Sequence, residues 1–227
     1  MTTARRNFQR LYDLSERVIP AGIDTSEPTP DDFHRFVVRQ ALATRGILPR
    51  DQIRWSYRQF PAAGQFLREL VDAGEAAAVE VEGMDDTFYA LSENLDKLPR
   101  GRRKKLHILS PFDNLVIDRR RLLQLFGFDY SIECYLPAAK RRYGYFCLPI
   151  LWGTDFAGRL DPKADRKSRT FIVRKLTLEP DFDICDSFLP ALAEKLQSFA
   201  AFNGCEQIAV EATEPRKIKA PLKRALG

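Results

Sequence analysis

The dominant period of this chain's apolar residues switches near Lys105, and that switch points to two packed units of different kind. Between Thr29 and Gly74 they recur at helical spacing, whereas from Lys105 onward they tend to alternate as on strands. A chain carrying both patterns in succession is an α+β protein, with a helical module ahead of a sheet. Its 227 residues are enough for each unit to have its own core.

Thr29-Pro30-Asp31-Asp32 is a helix start: Thr29 can cap exposed amides, Pro30 suits the first turn, and the aspartates face the positive end of the dipole. The helix it opens is expected to reach Arg45, with Phe33, Phe36, Val37 and Ala41 inward and Gly46 as its stop. A second helix is expected from about Pro49 to Tyr57, and a third from about Pro61 to Ala73 with Phe66, Leu67, Leu70 and Val71 inward. Ala76 to Glu82 and Thr87 to Leu91 then read as a hairpin around Gly83-Met84-Asp85-Asp86. Three helices followed by a hairpin is the order of a winged helix, placed at residues 29–98, with Leu95 to Arg103 as a linker. Ahead of it, residues 1–28 read as an inter-domain helix and linker. Phe8, Leu11, Tyr12, Ser15, Val18 and Ile19 fall at helical spacing from Ala4 to Ile19, and Pro20 ends the run.

Residues 105–212 are expected to form a small antiparallel β barrel or curled sheet with a closing helix. Phe128, Tyr130, Ile132, Cys134 and Leu136 alternate with Asp129, Ser131, Glu133 and Tyr135, as on a half-buried strand. Further strands are expected at Asn114 to Ile117, Tyr143 to Leu148, Ala157 to Leu160 and Thr170 to Leu178, with one helical excursion from Arg119 to Phe126. A helix from about Cys185 to Phe202, a strand around Gln207 to Glu211 and a basic tail at 213–227 complete the chain.

No apolar run approaches the roughly 20 residues of a membrane span, and Met1 is not followed by a signal-peptide core, so a cytoplasmic protein is expected. Cys134, Cys147, Cys185 and Cys205 lie far apart, with no CxxC and only His34 and His107 as imidazoles; reduced thiols and no metal site are expected.

The formal charge of +5 points to a polyanionic partner, and its distribution is more telling. Residues 62–99 carry 2 basic and 9 acidic side chains, whereas residues 100–174 carry 17 and 7. A winged helix ordinarily reads DNA with its third helix, yet Arg68 is the only base between Ala62 and Leu91. The module therefore reads as a scaffold or docking surface. The better candidates for phosphate contact lie further on: Arg119, Arg120 and Arg121; Lys140, Arg141, Arg142 and Tyr143 in a turn; and Arg159, Lys163, Arg166 and Lys167 beside another turn. A rigid turn presenting cations and an aromatic ring can hold phosphates and stack on a base.

The same stretch carries a resemblance. Leu109-Ser110-Pro111-Phe112-Asp113-Asn114-Leu115-Val116-Ile117-Asp118-Arg119, Leu125-Phe126-Gly127-Phe128, Glu133-x-Tyr135-x-Pro137-x-x-Lys140-Arg141, Tyr143-Gly144-Tyr145 and Leu148-Pro149 resemble the signature of the YcaQ/AlkZ family of bacterial DNA glycosylases. The likeness runs from about Phe8-Gln9-Arg10-x-Tyr12-Asp13-Leu14 through Gly158-Arg159-x-Asp161-x-Lys163-x-Asp165-Arg166-Lys167. It implies tandem winged helices closed by a β barrel, binding of double-stranded DNA, and excision of alkylated or crosslinked purines without metal or organic cofactor. It also implies a place with the bacterial nucleoid. The family's Gln-x-Gln or Gln-x-Asp motif, which belongs to the first winged helix, is absent from this sequence. The resemblance is thus to the later, DNA-binding portion of the family, with a further N-terminal domain implied, and no catalytic residue carries over. Asp113, Asp118, Glu133 and Asp161 are the carboxylates nearest the cations, and turn-forming or salt-bridging roles suit them better than catalysis. The alternative is a non-catalytic winged-helix DNA-binding protein or a transcriptional regulator; a regulator should carry a basic third helix, and the acidic residues from Ala62 to Leu91 speak against it.

Overall fold

The computed structural model describes residues 1–53, 63–97 and 104–227. The N-terminal stretch is not the expected helix. Strands β1 (Thr2–Arg6) and β2 (Gln9–Tyr12) form an antiparallel hairpin turned at Asn7, whose φ is 57°, and only the short α1 (Ser15–Val18) is helical. The physical reason lies in burial. An apolar stripe stabilises a helix only when a surface receives it, and every side chain from Met1 to Arg17 is exposed. Local pairing then satisfies the backbone, around an asparagine that tolerates the left-handed region.

The helical module begins as its capping residues require. Helix α2 (Pro30–Arg45) has the Thr29 hydroxyl accepting the Asp32 amide at 3.2 Å, and Gly46 ends it at φ 76°. Its buried face is Val37, Val38, Ala41 and Leu42, whereas Phe33 and Phe36 are exposed. The stripe is rotated from the expected one because the core reaches only the C-terminal half of the helix. Strand β3 (Ile47–Pro49), α3 (Arg50–Ile53), α4 (Ala63–Asp72), β4 (Ala76–Val79), β5 (Phe88–Leu91) and α5 (Ser92–Asp96) follow. The three strands form an antiparallel sheet in the order β3-β5-β4, under a core that includes Leu48, Ile53, Phe66, Leu67 and Leu91. Strand β3 is too short for a period of two to announce it. The end of the expected second helix and most of the expected linker fall at residues 54–62 and 98–103, outside the described residues.

The second unit is built on a curled sheet of β6 (Leu106–Ile108), β7 (Leu148–Trp152), β8 (Asp155–Asp165), β9 (Thr170–Leu178), β10 (Gln207–Val210) and β11 (Thr213–Glu214). Strands β6 to β9 are antiparallel, but β10 and β11 both run parallel to β9, so the sheet is mixed. Among the described residues no pairing joins β6 to β10, so of the two expected forms, barrel or curled sheet, the sheet takes the open, curled one. Its curl coincides with register shifts at Ile150/Leu151 and Asp161/Pro162, since an extra residue bends a strand. Gly158 allows the closest backbone approach: a Cβ there would lie 2.1 Å from the Thr177 carbonyl oxygen.

Helix α7 (Phe188–Phe202) covers one face of the sheet with Phe188, Leu192 and Leu196. The C-terminal residues are not a tail. Helix α8 (Lys219–Leu226) packs on α7, and Ile218 and Leu222 join the same core. The other face is covered by the excursion 109–147, which holds α6 (Arg119–Phe126) and a second core of Val116, Leu122, Phe128, Tyr130, Cys147 and Phe156. The strands expected at Asn114–Ile117, Phe128–Leu136 and Tyr143–Leu148 are not there; β7 begins only at Leu148. Phe128 and Tyr130 point inward as alternation requires, but Leu136 is exposed and Glu133 is buried. The segment wraps the sheet without joining it.

Candidate nucleic-acid interface

Acidic side chains dominate the helical module's surface. Arg35 pairs with Glu69 at 2.8 Å and Arg39 pairs with Glu75, so two of its own cations are held by its carboxylates. On α4, Gln65, Arg68 and Asp72 face outward. A single exposed cation there offers a phosphate backbone little attraction.

The arginine triplet of α6 is a joint between the two units. Asp118 caps the helix by accepting the Arg121 amide at 3.1 Å, and Gly127 ends it at φ 62°. Arg121 is 1% exposed; its guanidinium donates to the carbonyls of Arg45 at 3.1 Å, Ile47 at 3.4 Å and Asn114. Arg120 pairs with Asp51 at 2.9 Å, and Gln52 donates to Gln124 at 3.1 Å across the same seam. Arg119 donates to the carbonyls of Pro111 at 2.9 Å and Val116 and lies 4.6 Å from the Tyr130 ring centre. Burial lowers the pKa of both Arg119 and Arg121. Arg121 has no surface to offer a phosphate, which corrects its place among the candidate contacts.

The loop between Tyr130 and Phe146 is organised from beneath by a carboxylate. Glu133 is buried and accepts the amides of Arg142 at 3.1 Å, Tyr143 at 2.8 Å and Gly144 at 3.0 Å. Burial pushes its carboxyl up, but the three amide donors outweigh that and hold it below the ordinary glutamate value. Asp161 supports the same loop by accepting the Phe146 amide at 3.3 Å, and a Cβ on Gly144 would lie 2.3 Å from its carboxyl carbon. Tyr143 faces inward over this frame and takes two guanidinium groups, Arg159 at 3.9 Å and Arg142 at 4.8 Å. Arg159 is 3% exposed, lies 4.5 Å from the Phe128 ring centre and pairs with Glu179 at 2.8 Å. Arg159 therefore braces the loop, correcting the expectation that it meets the ligand, and the half-buried Tyr143 packs against it.

What the loop shows to solvent is Lys140 and Arg142, both exposed, and Arg141, which donates to the Leu136 carbonyl at 2.9 Å and stacks on Tyr145 at 4.9 Å. The β8–β9 hairpin shows a second group. Its turn is shaped by Asp165, which accepts the Lys167 amide at 3.0 Å, and by Arg169 at φ 51°. Lys163, Arg166 and Lys167 are exposed there, and none has an ion-pair partner among the described residues. Arg169, by contrast, pairs with Glu206 at 2.7 Å. Sequence reasoning did not single out Tyr135 as a contact, yet it is 86% exposed. The signal was present: it is an aromatic side chain at one of the positions assigned to the outward face.

All four carboxylates near these cations serve the backbone. Asp113 accepts the Leu115 amide at 2.9 Å, and the bonds to Asp118, Glu133 and Asp161 are those given above. All four cysteines are free thiols, and burial pushes Cys147 up to about 12. Among the described residues no group of His, Cys, Asp and Glu is placed to hold a metal ion, and no helix is long and apolar enough to cross a membrane.

A family model described as DNA glycosylase AlkZ-like matches residues 1–202. The fold is similar to that of the solved Streptomyces sahachiroi DNA glycosylase AlkZ, with a TM-score of 0.55 at 17% identity. The match covers 82% of this chain and 47% of that one, so the chain spans about half the length of that structure.

Proposed function

The chain belongs to the AlkZ-like DNA glycosylase family, and from that premise we propose that it is the portion of such an enzyme that grips duplex DNA. The observation that carries this reading is the set of five exposed cations without ion-pair partners on two preformed loops: Lys140 and Arg142 on one, Lys163, Arg166 and Lys167 on the other. Both loops are shaped by carboxylates that bond backbone amides, so the cations need little ordering when DNA arrives. Residues 29–98 act as a winged helix, a reading supported by the order helix, strand, two helices and two strands. It serves as scaffold or docking surface, because its third helix presents one cation. Residues 105–212, the curled sheet with its covering helix, supply the phosphate contacts.

The reaction in which this portion takes part is hydrolysis of the N-glycosidic bond of an alkylated or crosslinked base. An alkylated purine is a good leaving group, so what the enzyme adds is stabilisation of the cationic sugar and an oriented water. The four carboxylates described above are already engaged by backbone amides, and that chemistry is assigned to none of them. A regulator reading bases through α4 would need cations where Gln65 and Asp72 stand.

Fluorescence anisotropy with a labelled duplex of arbitrary sequence tests the grip. Five phosphate contacts correspond to a slope of log affinity against log salt near about −4.5. Binding that is independent of salt, or absent, refutes the reading. Release of a methylated purine by this chain alone refutes the reading of it as a grip without chemistry.

A further inference from the structure

Resting on the DNA-gripping reading, we propose that Tyr135 is a base-stacking probe, whose ring packs on an unpaired base where the duplex is damaged. The ring is 86% exposed and has no hydrogen bond, ring contact or cation beside it among the described residues. Its backbone, in contrast, is tightly held. Tyr135 occupies a turn closed by the Leu136 amide on the Glu133 carbonyl at 2.9 Å, and Arg141 Nε binds the Leu136 carbonyl at 2.9 Å. Beneath the turn, the buried Glu133 carboxylate bonds the three successive amides of Arg142, Tyr143 and Gly144. The ring is thus carried on a rigid stem and projects freely from it.

Exposure alone would not select this residue. Phe8 is 99% exposed, but its hairpin has no buried side chain to fix where it points. Phe112 is 63% exposed, yet its ring faces Phe146 at 6.3 Å, and Phe202 sits in the last turn of α7, not on either of the loops that carry the unpaired cations. On the loop that also displays Lys140 and Arg142, Tyr145 is 49% exposed but carries Arg141 over its ring at 4.9 Å, whereas Tyr135 joins an exposed, uncovered ring to a fixed backbone. The two cations hold phosphates, and an aromatic ring held between such contacts meets the base that the phosphates carry. A paired, stacked base offers it no face; an unpaired one does. The ring therefore favours damaged over intact duplex without reading sequence.

The experiment uses the full chain with two labelled duplexes, one fully paired and one with 2-aminopurine opposite an abasic analogue. The wild type is expected to bind the second about tenfold more tightly and to quench the 2-aminopurine emission. Tyr135→Phe keeps both effects. Tyr135→Ala loses the preference and the quenching while its melting temperature and its affinity for the paired duplex stay unchanged. Retention of preference and quenching by Tyr135→Ala overturns the proposal, as does a Tyr135→Phe variant as impaired as alanine, because stacking needs the ring and not the hydroxyl. If the wild type binds neither duplex, the DNA-gripping reading fails and this inference with it. If it binds both equally, only the inference fails.

Discussion

Replacing Lys163, Arg166 and Lys167 together by glutamine separates cations that grip from cations that brace. These side chains are exposed on the β8–β9 turn, and none is held by a carboxylate. Each phosphate contact adds about 0.9 to the magnitude of the salt slope, so removing three takes it from about 4.5 to about 1.8. Between 50 and 200 mM salt the wild type should then lose about 500-fold in affinity and the triple variant only about 12-fold. Because the turn is shaped by Asp165 and the backbone of Arg169, both retained, the fold should be unaffected. Anisotropy titrations at four salt concentrations measure the slope, and thermal melting checks the fold. An unchanged slope with an intact fold would refute the assignment of these cations to phosphate, and with it the claim that an unpartnered charge marks the binding face.

Arg121→Met should do the reverse. It strands three carbonyls at the seam between the units, destabilising the protein by about 3 kcal/mol in thermal or denaturant unfolding, while the salt slope of whatever remains folded stays at the wild-type value. Gly158→Ala places a methyl group against the Thr177 carbonyl in a left-handed backbone and should cost about 3 kcal/mol by the same measurement. Glu133 sets a pH limit: its carboxyl is held below the ordinary glutamate value by three amides, so its contribution is complete above the unfolded pKa and is lost as pH falls through the folded one. Melting temperatures from pH 7 down to 3.5 should show a fall below about pH 4.5 that is smaller in Glu133→Gln; identical profiles would contradict the bonding described.

Elements with their own boundary chemistry were legible in the sequence. Helix α6 lies where the sequence reading put it because Asp118 and Gly127 are strong caps, and α2 is fixed by Thr29, Pro30 and Gly46 for the same reason. What failed was the inference from periodicity to partner. The stripe from Phe8 to Ser15 is exposed throughout, and the alternation from Phe128 to Leu136 belongs to a segment draped over a sheet. The C-terminal residues looked like a tail because Ile218 and Leu222 are isolated apolar positions, and only the pocket left by α7 shows why they matter.

The arginines pose the same problem in sharper form. Arg120, Arg121, Arg142, Arg159 and Arg166 are alike in sequence, yet one is paired across a seam, two are buried, one is exposed beside a tyrosine ring and one is exposed with no partner among the described residues. Clustering of charge in the sequence cannot distinguish them, because what decides is whether a carbonyl, a carboxylate or a ring lies within reach. The acidic module gives the free cations their significance. Glu80, Glu82, Asp85 and Asp86 are exposed between β4 and β5, the position of a wing if the module is a winged helix. A polyanion is repelled there and attracted by the loops of the second unit, so the field orients it before contact. On the proposed reading, the module whose order of elements suggests a winged helix is by charge the one that turns DNA away, and the loops of the second unit take the phosphates.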